Sequence, residues 1–310
     1  MLKLLTWFSA AFWLVIVAIL PFTVLRVDLE AWFMALAPAA IASATLALYA
    51  RRCGFRRVQA FAQALLFHLL LLFPVAASAY IAMQLPFDFS DHQLSFADSA
   101  IGFDWKATIG FIDERPWLGR LFGYAYSAFT PQLIAYPLLL SLGSVPTRAY
   151  KMIMCYGLIV LAASIVAATA PAVGAFAAAD IHHAKNISLQ FALDFVPQLQ
   201  QLKSGNIFAF APFKLAGVIS FPSVHAAVAV LCGWAWWHHK LLRYPVAAIN
   251  AMMAASAIPN GGHYLVDVIA GIAVAAWAIL AVSRLETRLK SRSGLRPVQM
   301  DYVGATTVPS

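Results

Sequence analysis

The chain has 310 residues, of which 62% are hydrophobic and 11% charged, with a mean hydropathy of +0.78. Soluble domains run near 45–50% apolar and about 25% charged. The composition therefore excludes an ordinary cytosolic enzyme, a disordered chain, a nucleic-acid-binding tail protein and a secreted disulfide scaffold, and the net charge of +8 becomes a question of where the charges sit.

A bilayer-crossing helix needs about 20 mainly apolar residues. Eight runs fit, at 7–25, 31–50, 58–81, 119–143, 152–174, 222–237, 241–258 and 263–283. They predict an all-α fold, a polytopic membrane helix bundle of about eight transmembrane helices. The first run follows Lys3 as a signal peptide would. Ile19-Leu20-Pro21-Phe22 gives no small-residue cleavage site, so it reads as a retained anchor. Cys53, Cys155 and Cys232 form no framework and read as free structural thiols.

Lys and Arg in the connections set the orientation. With the N-terminus in the cytoplasm, 14 of the 21 basic residues fall on the inner side. The inner side then carries +12 and the outer side −4. Both termini are expected inside, in a membrane of the bacterial inner (cytoplasmic) type. The long connections 82–118 and 175–221 are then extracytoplasmic. Residues 1–57 are expected to form two accessory helices, 58–284 a six-helix core, and 285–310 a basic, disordered cytoplasmic tail. In 187–202, apolar residues from Ile187 to Leu202 alternate with polar ones, as in a segment lying in the membrane interface.

An ionisable side chain inside a span is costly and is a functional candidate by default. His68 reads as a neutral imidazole bonded to a neighbouring helix, and His238 and His239 as inner-interface residues. His182 and His183 read as a solvated pair. No further ligands stand at metal spacing, so no metal and no cofactor is expected.

One cluster differs. The sixth span opens Phe221-Pro222-Ser223-Val224-His225, and the eighth opens Gly261-Gly262-His263-Tyr264-Leu265-Val266-Asp267. Both start at the outer face. His263 and Asp267, four apart, are expected to share one helix face. A carboxylate there fixes the imidazole tautomer and leaves the other ring nitrogen as a nucleophile. His225, at the same depth, is placed to protonate a leaving oxygen. Free N–H groups of two helix N-termini are expected to favour a phosphate, with Ser223 adding a hydroxyl. Gln132, Asn260 and Tyr264 are candidate headgroup contacts, and Lys214 is a candidate cation beside Lys185, Lys203, Arg115 and Arg120.

Pro222-Ser223-Val224-His225 followed by His263-x-x-x-Asp267 resembles the type 2 phosphatidic acid phosphatase superfamily. The resemblance implies a six-helix core in which His263 is the nucleophile, Asp267 its orienter and His225 the general acid. The chain departs from that pattern. Val224 replaces the Gly of PSGH, Ser256-Ala257 stands where the family has Ser-Arg, and the loop before the sixth span holds no KxxxxxxRP. Phe221 to Ala226 and His263 to Asp267 look closer to the inositol phosphorylceramide synthase and sphingomyelin synthase branch. Asp98-x-x-x-x-Gly-Phe-Asp-Trp105 and the Tyr126-to-Gln132 region resemble bacterial relatives of that branch. The expected function is a lipid phosphotransferase acting through a phosphohistidine at the extracytoplasmic face. The first alternative is a lipid phosphate phosphatase, and the second a non-catalytic transporter or scaffold. Membrane lipids are the expected partners, and nucleic acid is not.

Overall fold

The computed structural model describes residues 1–143 and 146–292. The described chain is helical almost throughout. It opens with α1 (Leu2–Ile19), a 3-10 turn, the three-residue strand β1 (Leu25–Val27), α2 (Leu29–Arg52) and α3 (Arg56–Met83). The connection after α3 holds α4 (Asp91–Ala100) and α5 (Trp105–Asp113). Then come α6 (Pro116–Ser127), α7 (Phe129–Leu142) and α8 (Thr147–Thr169). The connection after α8 carries α9 (Ala175–Ala178), α10 (Gln190–Leu193), α11 (Val196–Lys203) and β2 (Phe208–Phe210). The chain continues with α12 (Val224–Trp236), α13 (Arg243–Gly261) and α14 (Leu265–Arg292).

Five helical stretches among the described residues are long and apolar enough to cross a membrane: Leu2–Phe22, Leu29–Arg52, Arg56–Met83, Thr147–Thr169 and Leu265–Ser291. Phe129–Leu142 and Val224–Trp236 are shorter apolar helices. The run at 119–143, expected as one helix, is two. Pro131 in the first turn of α7 has no N–H to give to the carbonyl of Ser127, and its ring crowds that carbonyl, so the helix restarts at Phe129. Residues 285–292, expected in the disordered tail, continue α14 as helix. The remainder of that tail lies outside the described residues.

The main core lies between α3, α7, α8, α12 and α14, with Leu71, Tyr80, Ile153, Ile159, Leu231 and Ala278 fully buried or nearly so. Helices α12 and α14 approach most closely at Gly271. A Cβ there would stand 2.2 Å from the Ser223 carbonyl oxygen, so any larger residue would push the start of α12 away. The two ends of α12 are held differently. Ser223 caps its start by accepting the Ala226 N–H at 3.4 Å. Arg148 closes its end by donating to the carbonyls of Ala235 (2.7 Å) and Trp234.

The N-terminal helices are fastened to the connection between α8 and α12. β1 pairs with β2 in parallel, Leu25 opposite Phe208 and Val27 opposite Phe210. The Trp32 indole N–H donates to the Phe210 carbonyl at 3.0 Å, and the Phe73 ring stands edge-on to Trp32. A second apolar cluster, including Trp105, Phe176, Ile187, Ala257, Tyr264 and Val268, lies beneath the two long connections, α3 to α6 and α8 to α12. It places those connections on the start of α14.

Candidate active site

His263 precedes α14 rather than lying on it, so the pair with Asp267 is made in a turn and not along one helix face. The Asp267 side chain reaches back over the first turn. Its Oδ2 accepts the Tyr264 N–H at 3.0 Å, as the third residue of a helix does in a capping box. The same oxygen lies 3.2 Å from His263 Nδ1. A carboxylate only accepts, so Nδ1 carries the proton and Nε2 keeps its lone pair. Asp267 is fully buried, and its Oδ1 has no hydrogen-bond partner among the described residues.

The backbone that presents His263 needs two glycines. Gly262 ends α13 in the left-handed region at φ +68°. A Cβ on Gly261 would stand 2.7 Å from the His263 ring and 3.0 Å from the Tyr126 ring. Tyr126 thus touches the same glycine as the nucleophile candidate, and it also covers the second histidine. Its ring stacks on His225 with centroids 4.0 Å apart and planes at 11°. Phe129 meets the same imidazole at 4.2 Å. Among the described residues no hydrogen bond reaches the His225 ring nitrogens, so aromatic faces fix the ring and both nitrogens stay available.

His225 and His263 open into one cavity of about 820 Å³. Its apolar wall follows α3 from Leu72 to Tyr80 and includes Tyr156 and Val160 of α8. Eight residues of helix rise about 12 Å, so the cavity descends from the histidines well into the bundle. Lys214 lines it too, and is its one Lys or Arg among the described residues. Tyr80 holds the loop carrying Lys214. Its hydroxyl accepts the Ala216 N–H at 2.9 Å and donates to Gln198 Oε1, while Gln198 Nε2 donates to the Lys214 carbonyl at 2.9 Å.

The other sequence candidates sit elsewhere. Gln132 is buried between α7 and α13, where its Oε1 accepts from Asn250 at 2.8 Å and its amide meets Met253 Sδ at 3.5 Å. Asn260 is buried with its Oδ1 unpartnered, outside the lining of the cavity. Tyr264 bonds Asp91 and lines a second cavity of about 780 Å³, apart from the one that holds the histidines. Ser223 is spent on its cap. Lys203 donates to the carbonyls of Leu85 (2.6 Å) and Phe87 (2.8 Å), and burial lowers its ammonium below the usual lysine range. Arg115 is held by the Phe111 carbonyl and ring and by Glu114. His182 is exposed and paired with Asp180 at 2.8 Å. His68 is buried and stacked on Tyr156.

The expectation of two open helix N-termini is corrected by the start of α14. Its Leu265 and Val266 N–H groups are each taken at 2.9 Å by the two oxygens of Asp98 on α4. Those donors cannot also bind a phosphate. Asp98, Asp91, Trp105, Tyr126 and Phe129 are the residues at this site that sequence reasoning did not assign. The stretches 98–105 and 126–132 had drawn attention as patterns, but no spacing shows that Asp98 meets a turn 167 residues away.

The chain matches no curated protein and no solved structure. A family model described as PAP2 superfamily matches residues 92–281, more than half the chain. That span takes in both histidines, Asp267 and most of the two long connections around them. With the match covering the whole constellation, the chain belongs to the PAP2 superfamily, whose members are phosphatases or phosphotransferases acting on phosphoesters.

Proposed function

We propose that the protein is an integral-membrane lipid phosphotransferase, of the inositol phosphorylceramide synthase and sphingomyelin synthase type, acting on phospholipid or sphingolipid headgroups. The observation that carries this reading is the shared cavity. Two histidines, Lys214 and Asp194 are the charged or ionisable groups other than tyrosines in its lining, and mostly apolar side chains of α3 and α8 form its far wall. That arrangement suits a phosphate joined to a hydrocarbon chain, with the chain lying between α3 and α8 and the phosphate beside Lys214.

His263 Nε2 attacks phosphorus, and the bond from phosphorus to the lipid oxygen breaks. His225 gives its proton to the departing oxygen. Asp267 accepts from Nδ1 throughout and balances the charge that develops on the ring. In the second half, an acceptor hydroxyl loses its proton to His225 and attacks phosphorus, and the P–N bond to His263 breaks. A phosphodiester carries one negative charge and a monoester up to two, so a single cation fits the diester better. This favours headgroup transfer over monoester hydrolysis in a chain whose Ser256-Ala257 lacks the family arginine.

The proposal places the site at the extracytoplasmic face of a bacterial inner membrane, with both termini inside, a six-helix catalytic core over 58–284 and accessory helices before it. The distribution of Lys and Arg supports this side.

The test is a product balance. The purified protein is given phosphatidic acid, phosphatidylinositol or phosphatidylcholine in micelles, each with and without diacylglycerol or ceramide. Mass spectrometry follows transferred headgroup and free phosphate. Headgroup on the acceptor supports the proposal. Release of inorganic phosphate from the monoester alone overturns transfer in favour of a lipid phosphate phosphatase.

A further inference from the structure

Four separate contacts grip the turn that carries His263, and all come from the two long connections. Asp98, 1% exposed, closes the first turn of α14 by accepting the Leu265 and Val266 N–H groups at 2.9 Å each. The Trp105 indole N–H donates to the carbonyl of His263 itself at 3.1 Å. Asp91 bonds the Tyr264 side chain and accepts the N–H groups of Val173 and Gly174 at 2.9 Å. The next residue, Ala175, donates its N–H to the Gly262 carbonyl at 2.7 Å. Every residue from Gly262 to Val266 is held by a partner more than 80 positions away in sequence.

A buried carboxylate is costly unless its oxygens are satisfied. A carboxylate placed on the positive end of a helix, accepting two amides, is held both by charge and by geometry. Such a contact fixes a backbone and does no chemistry on a substrate. Asp98 does not line the cavity that holds His225 and His263. Its effect passes through Leu265 and Val266 to a histidine two residues earlier, whose ring must present Nε2 to phosphorus.

We propose that Asp98 is the positioning residue for His263, acting with Trp105 as a clamp that the α4–α5 segment places over the start of α14. This rests on His263 being the nucleophile. It gives the Asp98-to-Trp105 stretch a role: the aspartate at its start and the tryptophan at its end hold successive peptide groups of one turn. Helices α4 and α5 are then part of the catalytic machinery and not a passive connection.

The test uses the full-length protein in detergent with dioctanoyl phosphatidylinositol as the headgroup donor and ceramide as the acceptor. Hydrogen exchange at the Leu265 and Val266 amides is followed in the same samples. Asp98→Asn leaves the second amide without an acceptor. It should lower kcat by about 10–100-fold, as outer partners of catalytic groups do when removed, with KM within about 2-fold of wild type and exchange at the two amides accelerated. Trp105→Phe keeps the ring against Phe176, loses the donor to His263, and should give a smaller fall in kcat at the same KM. A folded Asp98→Asn with wild-type kcat overturns the proposal. So does an Asp98→Asn preparation that is partly folded and whose folded fraction turns over at the wild-type rate. If Asp98→Asn does not fold, Trp105→Phe decides: unchanged kcat overturns, lowered kcat at unchanged KM supports. His263→Ala separates the two claims. Activity retained there removes the nucleophile assignment; activity lost there but retained in Asp98→Asn removes the clamp alone.

Discussion

Tyr126 lies flat on His225, ring centroids 4.0 Å apart and planes 11° from parallel. The stack gives a histidine with no hydrogen-bonded partner a fixed orientation, and an imidazolium there faces the negative face of an aromatic ring. Tyr126→Phe keeps the stack and should retain activity within about 3-fold. Tyr126→Ala opens the space beside His225 and Gly261 and should lower kcat by about 10–100-fold. Steady-state kinetics on the two variants checks the contrast. Equal losses in both would assign the effect to the hydroxyl.

Asp267→Asn tests the tautomer. The amide has nearly the same shape but can donate to Nδ1, which would place the imidazole proton on Nε2 and block attack. Activity should fall by about 10³–10⁴-fold, the scale seen when a histidine's orienting carboxylate is exchanged for an amide. Thermal unfolding of the variant in detergent, compared with wild type, separates this from misfolding.

Lys214 is the cation of the cavity, exposed at its rim on a loop held by Tyr80 and Gln198. Lys214→Met removes the charge and keeps most of the stem. It should raise KM for an anionic lipid by about 10-fold, the range of a charge-assisted contact, and change kcat less. Tyr80→Phe, which frees the loop, should move KM in the same direction. Initial-rate measurements across lipid mole fraction in micelles give both constants.

Asp98 and Asp91 lie outside the spans, and burial raises both carboxyls above the usual aspartate range, against the lowering effect of the amides they accept. Asp98 shares its cavity with Asp91, His92, Asp104, Lys106 and Tyr264. Two signs follow. Activity should fall as pH drops through the raised value, because a protonated Asp98 no longer accepts at both oxygens. Stability should move the other way. The folded state binds these protons more tightly than the unfolded one, so the contribution falls as pH rises from the unfolded to the folded value. Activity and melting temperature measured on one pH series should therefore run in opposite directions on the acid side. Residual activity of Asp98→Asn should lose part of that acid limb.

The bundle was legible because apolar runs of membrane length need no partner to be recognised, and each of the eight runs falls mostly in helix. Run length was less informative where one residue decides. Pro131 divides a continuous apolar run into α6 and α7, and α14 continues through the charged residues from Leu285 to Arg292. At the site, the pairing of His263 with Asp267 could be read from a spacing of four, although it is made in a turn. Contacts between distant segments could not be read. Asp98 looks like a solvated loop charge until the fold lays α4 on α14. Gln132 looks like a headgroup ligand until Asn250 is seen beside it. In both cases local composition is the same for either role, and only tertiary packing distinguishes them.

The central claim is that His263 carries the phosphoryl group. The direct measurement is peptide mass spectrometry on protein quenched in base during turnover of the phosphatidylinositol donor, since phosphohistidine survives alkali and not acid. The account predicts a headgroup-phosphoryl adduct on His263 that is absent in His263→Ala and accumulates in His225→Ala when a good leaving group is supplied. An active enzyme with no adduct on His263, or with the adduct on another residue, would contradict it.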